Sequence, residues 1–174
     1  MIEILVPKGF GIRTTHRRVF HKGGKIISID ECPNLIHHEG EQFLLQALFS
    51  KEVNPVPASY YLGIDARTTV AAADDLTDLV SEPSAFGYAR KQLNSDTSNF
   101  PVSSDANGYF IITAVKQFVA SGGSWGTQRN TFLTTASTGT GGKLLITSPF
   151  SAPRLMDDGV AVDVSMKIEP RVAT

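Results

Sequence analysis

Residues Val160 to Ile168 read VAVDVSMKI, and this run constrains the fold more than any other. Val160, Val162, Val164, Met166 and Ile168 alternate with Ala161, Asp163, Ser165 and Lys167. Successive side chains of a strand point to opposite faces, so the pattern describes a strand with one apolar and one wet face. Such a strand needs a second layer over its apolar side. Further β-branched and aromatic runs supply it. Ser59–Asp65, Phe86–Leu93, Thr127–Thr135 and Lys143–Thr147 read as strands, and Tyr109–Val119, apolar on both faces, as a central one. Residues 2–6 and 25–30 read as short strands, Phe10–Phe20 as extended chain, and His21-Lys22-Gly23-Gly24 as a turn.

One helix stands out. Asn34 is placed to cap it, and Ile36, Phe43, Leu44, Ala47 and Leu48 share one face. Gly40 lies on that face, where it permits close packing on a sheet. Two polar loops follow, at 66–84 with one helical turn in DDLTDL, and at 94–107. The expectation is a mainly β protein: a β-sandwich or jelly-roll-like domain at 31–174 with a helix at 34–49. Residues 1–30 form an extended N-terminal β arm.

Charge and composition narrow the function. The 174 residues suffice for one domain with a core, and charged residues make up only 19%, as in globular rather than disordered chains. A formal net charge of -1 argues against nucleic acid held on a broad basic surface. Arg13, His16, Arg17 and Arg18 are the candidates for a local basic patch. Cys32 is the one cysteine, so no internal disulfide forms. No long apolar run suggests a membrane span or a secretory leader. A soluble, non-exported chain is expected.

Several motifs invite chemistry. Gly122-Gly123-Ser124-Trp125-Gly126 matches G-x-S-x-G, the nucleophile turn of many hydrolases, which needs a strand before it and a helix after it. Here a threonine-rich strand follows, and His16, His21, His37 and His38 all precede Ser124. A hairpin turn explains the glycines better. Gly139-Thr140-Gly141-Gly142-Lys143 lacks the spacing of a phosphate loop, because Ser137 and Leu144 occupy its outer positions. His37 and Glu41 share a helix face as a metal pair would, yet a third ligand is missing, Cys32 being only near in sequence. Asp74, Asp75 and Asp78 lack the calcium-loop spacing. Trp125, Tyr60, Tyr61, Tyr88 and Tyr109 read as core aromatics rather than a sugar surface. No catalytic residues, cofactor or metal are therefore expected.

Several segments resemble a family of small virion structural proteins of tailed bacteriophages. They are LIHHEGEQFLLQALF from Leu35, YYLGID at 60–65, SEPSAFGYARKQL at 81–93, SWGT at 124–127, TGTGGKLLITSPF at 138–150 and DDGVAVDVSMKIE at 157–169. The run from Glu82 to Gly87-Tyr88-Ala89-Arg90 is the most specific. The resemblance implies a β-sandwich component of the particle. The first reading is a capsid decoration (cement) protein on the outer capsid surface, bound to the major capsid protein across capsomer joints. The second is a tail or fibre component bound to other tail proteins; a serine hydrolase using Ser124 is the third. Homo-oligomers, with trimers by analogy of class, are expected. Candidate partner contacts are Arg13, Arg17 and Arg18 on the arm, and Asp74, Asp75, Asp96 and Asp105 in the loops.

Overall fold

The computed structural model describes residues 10–50 and 56–172. In chain order they form β1 (Phe10–Lys22), β2 (Lys25–Pro33), β3 (Leu35–Ile36), α1 (His38–Phe49), β4 (Ser59–Asp65), a 3-10 turn (Leu76–Asp78), β5 (Lys91–Asn94), β6 (Val102–Asp105), β7 (Gly108–Ile112), β8 (Lys116–Val119), β9 (Thr127–Thr134), β10 (Leu144–Leu155) and β11 (Val160–Val172). All strand pairs are antiparallel, in two sheets. The first runs β2-β1-β11-β7-β6, with β8 also on β11; the second runs β3-β10-β9-β4-β5.

The alternation in β11 sets the interior. Val160, Val162, Val164 and Met166 are buried and meet Leu62, Ile64, Leu93, Leu133 and Phe150 of the other sheet. Phe20 and Phe118 join them from the first sheet, and Phe20 packs edge-on to Phe150 at 5.4 Å. Each such side chain contributes about 1.5–3 kcal/mol on leaving water. The protein is thus the two-layer, mainly β sandwich with one helix that the alternation demanded. Residues 2–6 lie outside the described residues. The hairpin β1–β2, most of it within the span read as an arm, lies at one side of the first sheet, turning at Gly23 and Gly24.

The second sheet is covered on both faces. Its outer side carries Phe132 and Leu144, and the loop 66–84 lays Leu76 and Leu79 over them. The 3-10 turn is held by a reciprocal cap between Asp75 and Asp78, which fits the helical turn expected in DDLTDL.

Three local readings need correction. The helix begins at His38, not Asn34, because Leu35 and Ile36 pair with β10 before it starts. Phe86–Leu93 is a strand only from Lys91; before it the chain turns, with φ of 55° at Phe86 and 80° at Gly87. Tyr109–Val119 is broken into β7 and β8, both along β11, because Thr113 bonds out of register: its N–H donates to the Met166 carbonyl and its Oγ1 accepts from the Met166 N–H.

Candidate interaction surfaces

Ser124 sits in a loop between β8 and β9, with strands on both sides. Its hydroxyl donates to Asp157 Oδ1 at 2.9 Å and accepts from the Gly126 N–H at 3.0 Å. Among the described residues no histidine hydrogen-bonds it. The glycines have other work. Gly122 and Gly126 have φ of 83° and 71°, and a Cβ on Gly123 would strike the Phe86 ring. Trp125 Nε1 donates to the carbonyls of Ala85 and Phe86, both at 3.1 Å. The loop therefore clamps the turn before β5, and nothing there resembles a nucleophile with its base.

The Glu82-to-Arg90 run closes the same knot. Glu82 accepts from Arg90 through both carboxylate oxygens, each at 2.7 Å, and from the Tyr88 hydroxyl at 2.8 Å. The Tyr88 oxygen in turn accepts from the Ile64 N–H at 3.0 Å. Arg90 Nη1 donates to the Ala136 carbonyl, and its guanidinium lies 5.3 Å from the Phe132 ring centre. Burial, then the Glu82 carboxylate, pushes the Tyr88 phenol far above its ordinary value. Tyr88 therefore stays a neutral donor. These residues fasten the 81–90 turn to the second sheet.

The two histidines best placed for chemistry are spent on packing. His37 precedes α1 and is buried. Its Nδ1 lies 3.0 Å from the Ala71 carbonyl and must donate. Its Nε2, 2.8 Å from Thr147 Oγ1, then accepts, while that hydroxyl accepts from Arg67 Nη2. Burial and then Arg67 hold the His37 pKa below its usual value, in keeping with this neutral tautomer. Glu41, its suggested co-ligand, is exposed. Among the described residues no group of three or more His, Cys, Asp or Glu is placed to hold a metal ion. His16 is fully buried beside Thr131 and Arg18, and burial followed by the Arg18 charge lowers its pKa to about 3.

The candidate contact residues fall into three environments. Arg13 and Arg17 lie on the outer face of the first sheet. Arg17 Nε is 3.2 Å from Glu31, and Arg13 Nε is 4.0 Å from Glu169, which also meets Lys167 at 2.9 Å. Arg18 lies between the sheets with its side chain 0% exposed, donating to the Ser148 and Pro149 carbonyls at 2.9 Å, 3.3 Å from Asp30. It is a core cation, not a surface contact of this chain. The aspartates organise turns. Asp74 bonds Arg67 Nη1 and the Ala71 N–H, Asp75 caps Thr77, Asp96 bonds Asn99 twice, and Asp105 accepts from the Asn107 N–H. Asp65 and Arg67 make a bidentate buried pair, which Asn130 joins through Asp65 Oδ1 and the Arg67 carbonyl. That pair pins the inner side of the 66–84 loop to the sheet.

Exposed apolar side chains mark other surfaces. On α1, Leu45, Leu48 and Phe49 are 60%, 65% and 81% exposed, spaced i, i+3, i+4 on one outward stripe. The edge strand β2 exposes Ile26, Ile27 and Ile29, with Ile27 in a bulge. The β6–β7 hairpin at the other edge exposes Val102, Tyr109 and Ile112. Sequence reading assigned Leu48 to the packed face and passed over the rest. The signal available was the helical spacing of Leu45, Leu48 and Phe49, a second apolar stripe on the same helix.

Two facing sheets, loops tied down by buried ion pairs, and apolar stripes at the margins define a structural subunit made to be packed against. Comparison with protein families agrees: residues 36–167 match the family described as podophage GP4 fiber I protein gp80. The match spans well over half of the chain, and the chain belongs to that family of tailed-phage virion structural proteins. No curated protein matches it.

Proposed function

We propose that the protein is a tail or fibre component of the virion, acting by packing against other virion proteins rather than by catalysis. The observation that carries this is the match of residues 36–167 to a fibre protein family. It favours the tail over the outer capsid surface, and so reverses the order of the two particle readings made from sequence. The exposed stripe Leu45, Leu48 and Phe49 on α1 supports association, because exposed contiguous apolar surface on soluble chains marks interaction sites. The apolar β6–β7 hairpin is a second contact of the same kind.

Copies associate with one another, a trimer being the order named by analogy of class, and other tail proteins are the partners in place of the major capsid protein. Arg13 and Arg17, exposed on the first sheet, and Asp96 and Asp105, in exposed turns, are the charged residues left available to a partner. Quantitative mass spectrometry of purified virions tests the placement through copy number. A tail part is present in few copies per particle, and a ratio to the major capsid protein near that of a lattice-wide decoration rejects the tail reading.

A further inference from the structure

A cavity of about 240 Å³ opens between the sheets beneath the start of β1. Ile12, Thr14, Ile36, Leu44 and Ile168 are among its walls. Thr14 is only 3% exposed, and its Oγ1 has no hydrogen-bond partner among the described residues. A second apolar hollow shares Ile12, Ile111 and Ile168 with the first.

The edge of β1 above this cavity is open. β2 stops pairing at Thr15 opposite Pro33, and the Asn34 N–H reaches the Thr14 carbonyl. From Phe10 to Arg13, no described strand pairs the edge away from β11. Backbone groups alternate along a strand, so if the Thr14 carbonyl faces this edge, those of Ile12 and Phe10 face it too. The fold leaves a strand acceptor two hydrogen-bonding residues long, over an apolar hollow.

We propose that residues 2–6 of this chain form an antiparallel strand on that edge and close the cavity. These residues lie outside the described ones; their sequence, Ile2-Glu3-Ile4-Leu5-Val6, is followed by Pro7-Lys8-Gly9. A three-residue hairpin loop takes a type I turn followed by a left-handed residue. Proline suits the first turn position and glycine the left-handed one. That loop sets Val6 opposite Phe10 and Ile4 opposite Ile12, the two residues whose backbone groups face the open edge. It turns Ile2, Ile4 and Val6 to the cavity side with Ile12, and Glu3 to the outer side opposite Arg13. Hydrogen-bond parity, apolar side and charge thus agree in one register. A slip of one residue would turn Glu3 into the cavity.

The test uses the full chain with Cys32→Ser as background. Glu3→Cys with Arg13→Cys should close within one chain on mild oxidation: both thiols lost, mass still that of a monomer. Glu3→Cys with Thr15→Cys, two residues out of register, should stay reduced, since cysteines with Cα atoms beyond about 7 Å do not bridge. A covalent dimer from the first pair, which would place the segment on a second copy, overturns the proposal. So does a pair that stays reduced, or equal closure of both pairs. Hydrogen exchange needs no cysteine variant. The Ile12 amide is protected in the unsubstituted chain and loses that protection when residues 1–7 are deleted; an unprotected Ile12 amide in the unsubstituted chain overturns the proposal equally.

Discussion

The Tyr88 hydroxyl has two partners at once, the Glu82 carboxylate and the Ile64 N–H. Tyr88→Phe leaves that amide without its acceptor and removes a donor from Glu82. An unsatisfied buried group costs about 1–3 kcal/mol, so urea unfolding should show a loss of that size, with no change in the slope. Ser124→Ala tests a different idea. The hydroxyl bonds only within its own loop and to the 156–157 segment, so incorporation of the variant into virions should match that of the unsubstituted protein. A hydrolase would instead lose its activity. Arg18 shows where residue-scale reading of sequence stops. An arginine reads as surface, and only the fold shows that Thr131, Asp30 and two β10 carbonyls enclose it.

The helix illustrates how an element is positioned by one missing side chain. Gly40 faces β10, and a Cβ there would overlap the Leu145 carbonyl oxygen. Gly40→Ala improves intrinsic helix propensity by about 1 kcal/mol. The clash is with backbone, which cannot swing away, and overpacking of this kind costs about 1–3 kcal/mol. The net prediction is a destabilised protein, read as a lower melting temperature; a higher one would show that α1 does not sit this close to the sheet. The strand β11 was legible because one face is buried along its whole length, so the alternation survived into the sequence. The close approach of α1 was legible for a similar reason, since a glycine on an apolar helix face has few other uses. The 81–90 turn was not legible. Its residues favour strands, and what bends them is contact with Gly123 and Trp125, some forty positions later in the chain. The helix start was misread for the same reason: pairing of Leu35 and Ile36 with β10 outweighed the local capping preference of Asn34.

Across the whole molecule, buried ionisable groups tie stability to pH. His16 has a folded pKa of about 3 against an ordinary 6.5, from burial and then Arg18, and His37 is shifted in the same direction. The unfolded chain therefore binds these protons first as pH falls. Their contribution is present above pH 6.5 and is lost progressively as the pH falls towards 3. The slope for one such proton is about 1.4 kcal/mol per pH unit. For Asp30 burial acts upward, but the Ser151 amide and Arg18 outweigh it, leaving its pKa below the ordinary 3.8. Its share of stability is lost below that value. Melting temperature should fall steadily below pH 6.5, and His16→Gln should flatten the fall; a flat profile in the unsubstituted chain contradicts the neutral buried imidazole.

The sandwich and its place in a virion could be read from residues because alternation and a few ordered motifs carry them. The contact surfaces could not. They depend on which side chains the fold leaves outside, such as Leu45, Leu48 and Phe49, and which charges it draws in, such as Arg18 and Asp74. The most direct test is a cryo-EM map of the intact virion with residues 10–50 and 56–172 fitted into it. The account predicts density for the two-sheet sandwich in the tail or its fibres, with the outward stripe of α1 against a neighbouring subunit. Density over the capsomer joints, or a particle that lacks the protein altogether, would contradict it.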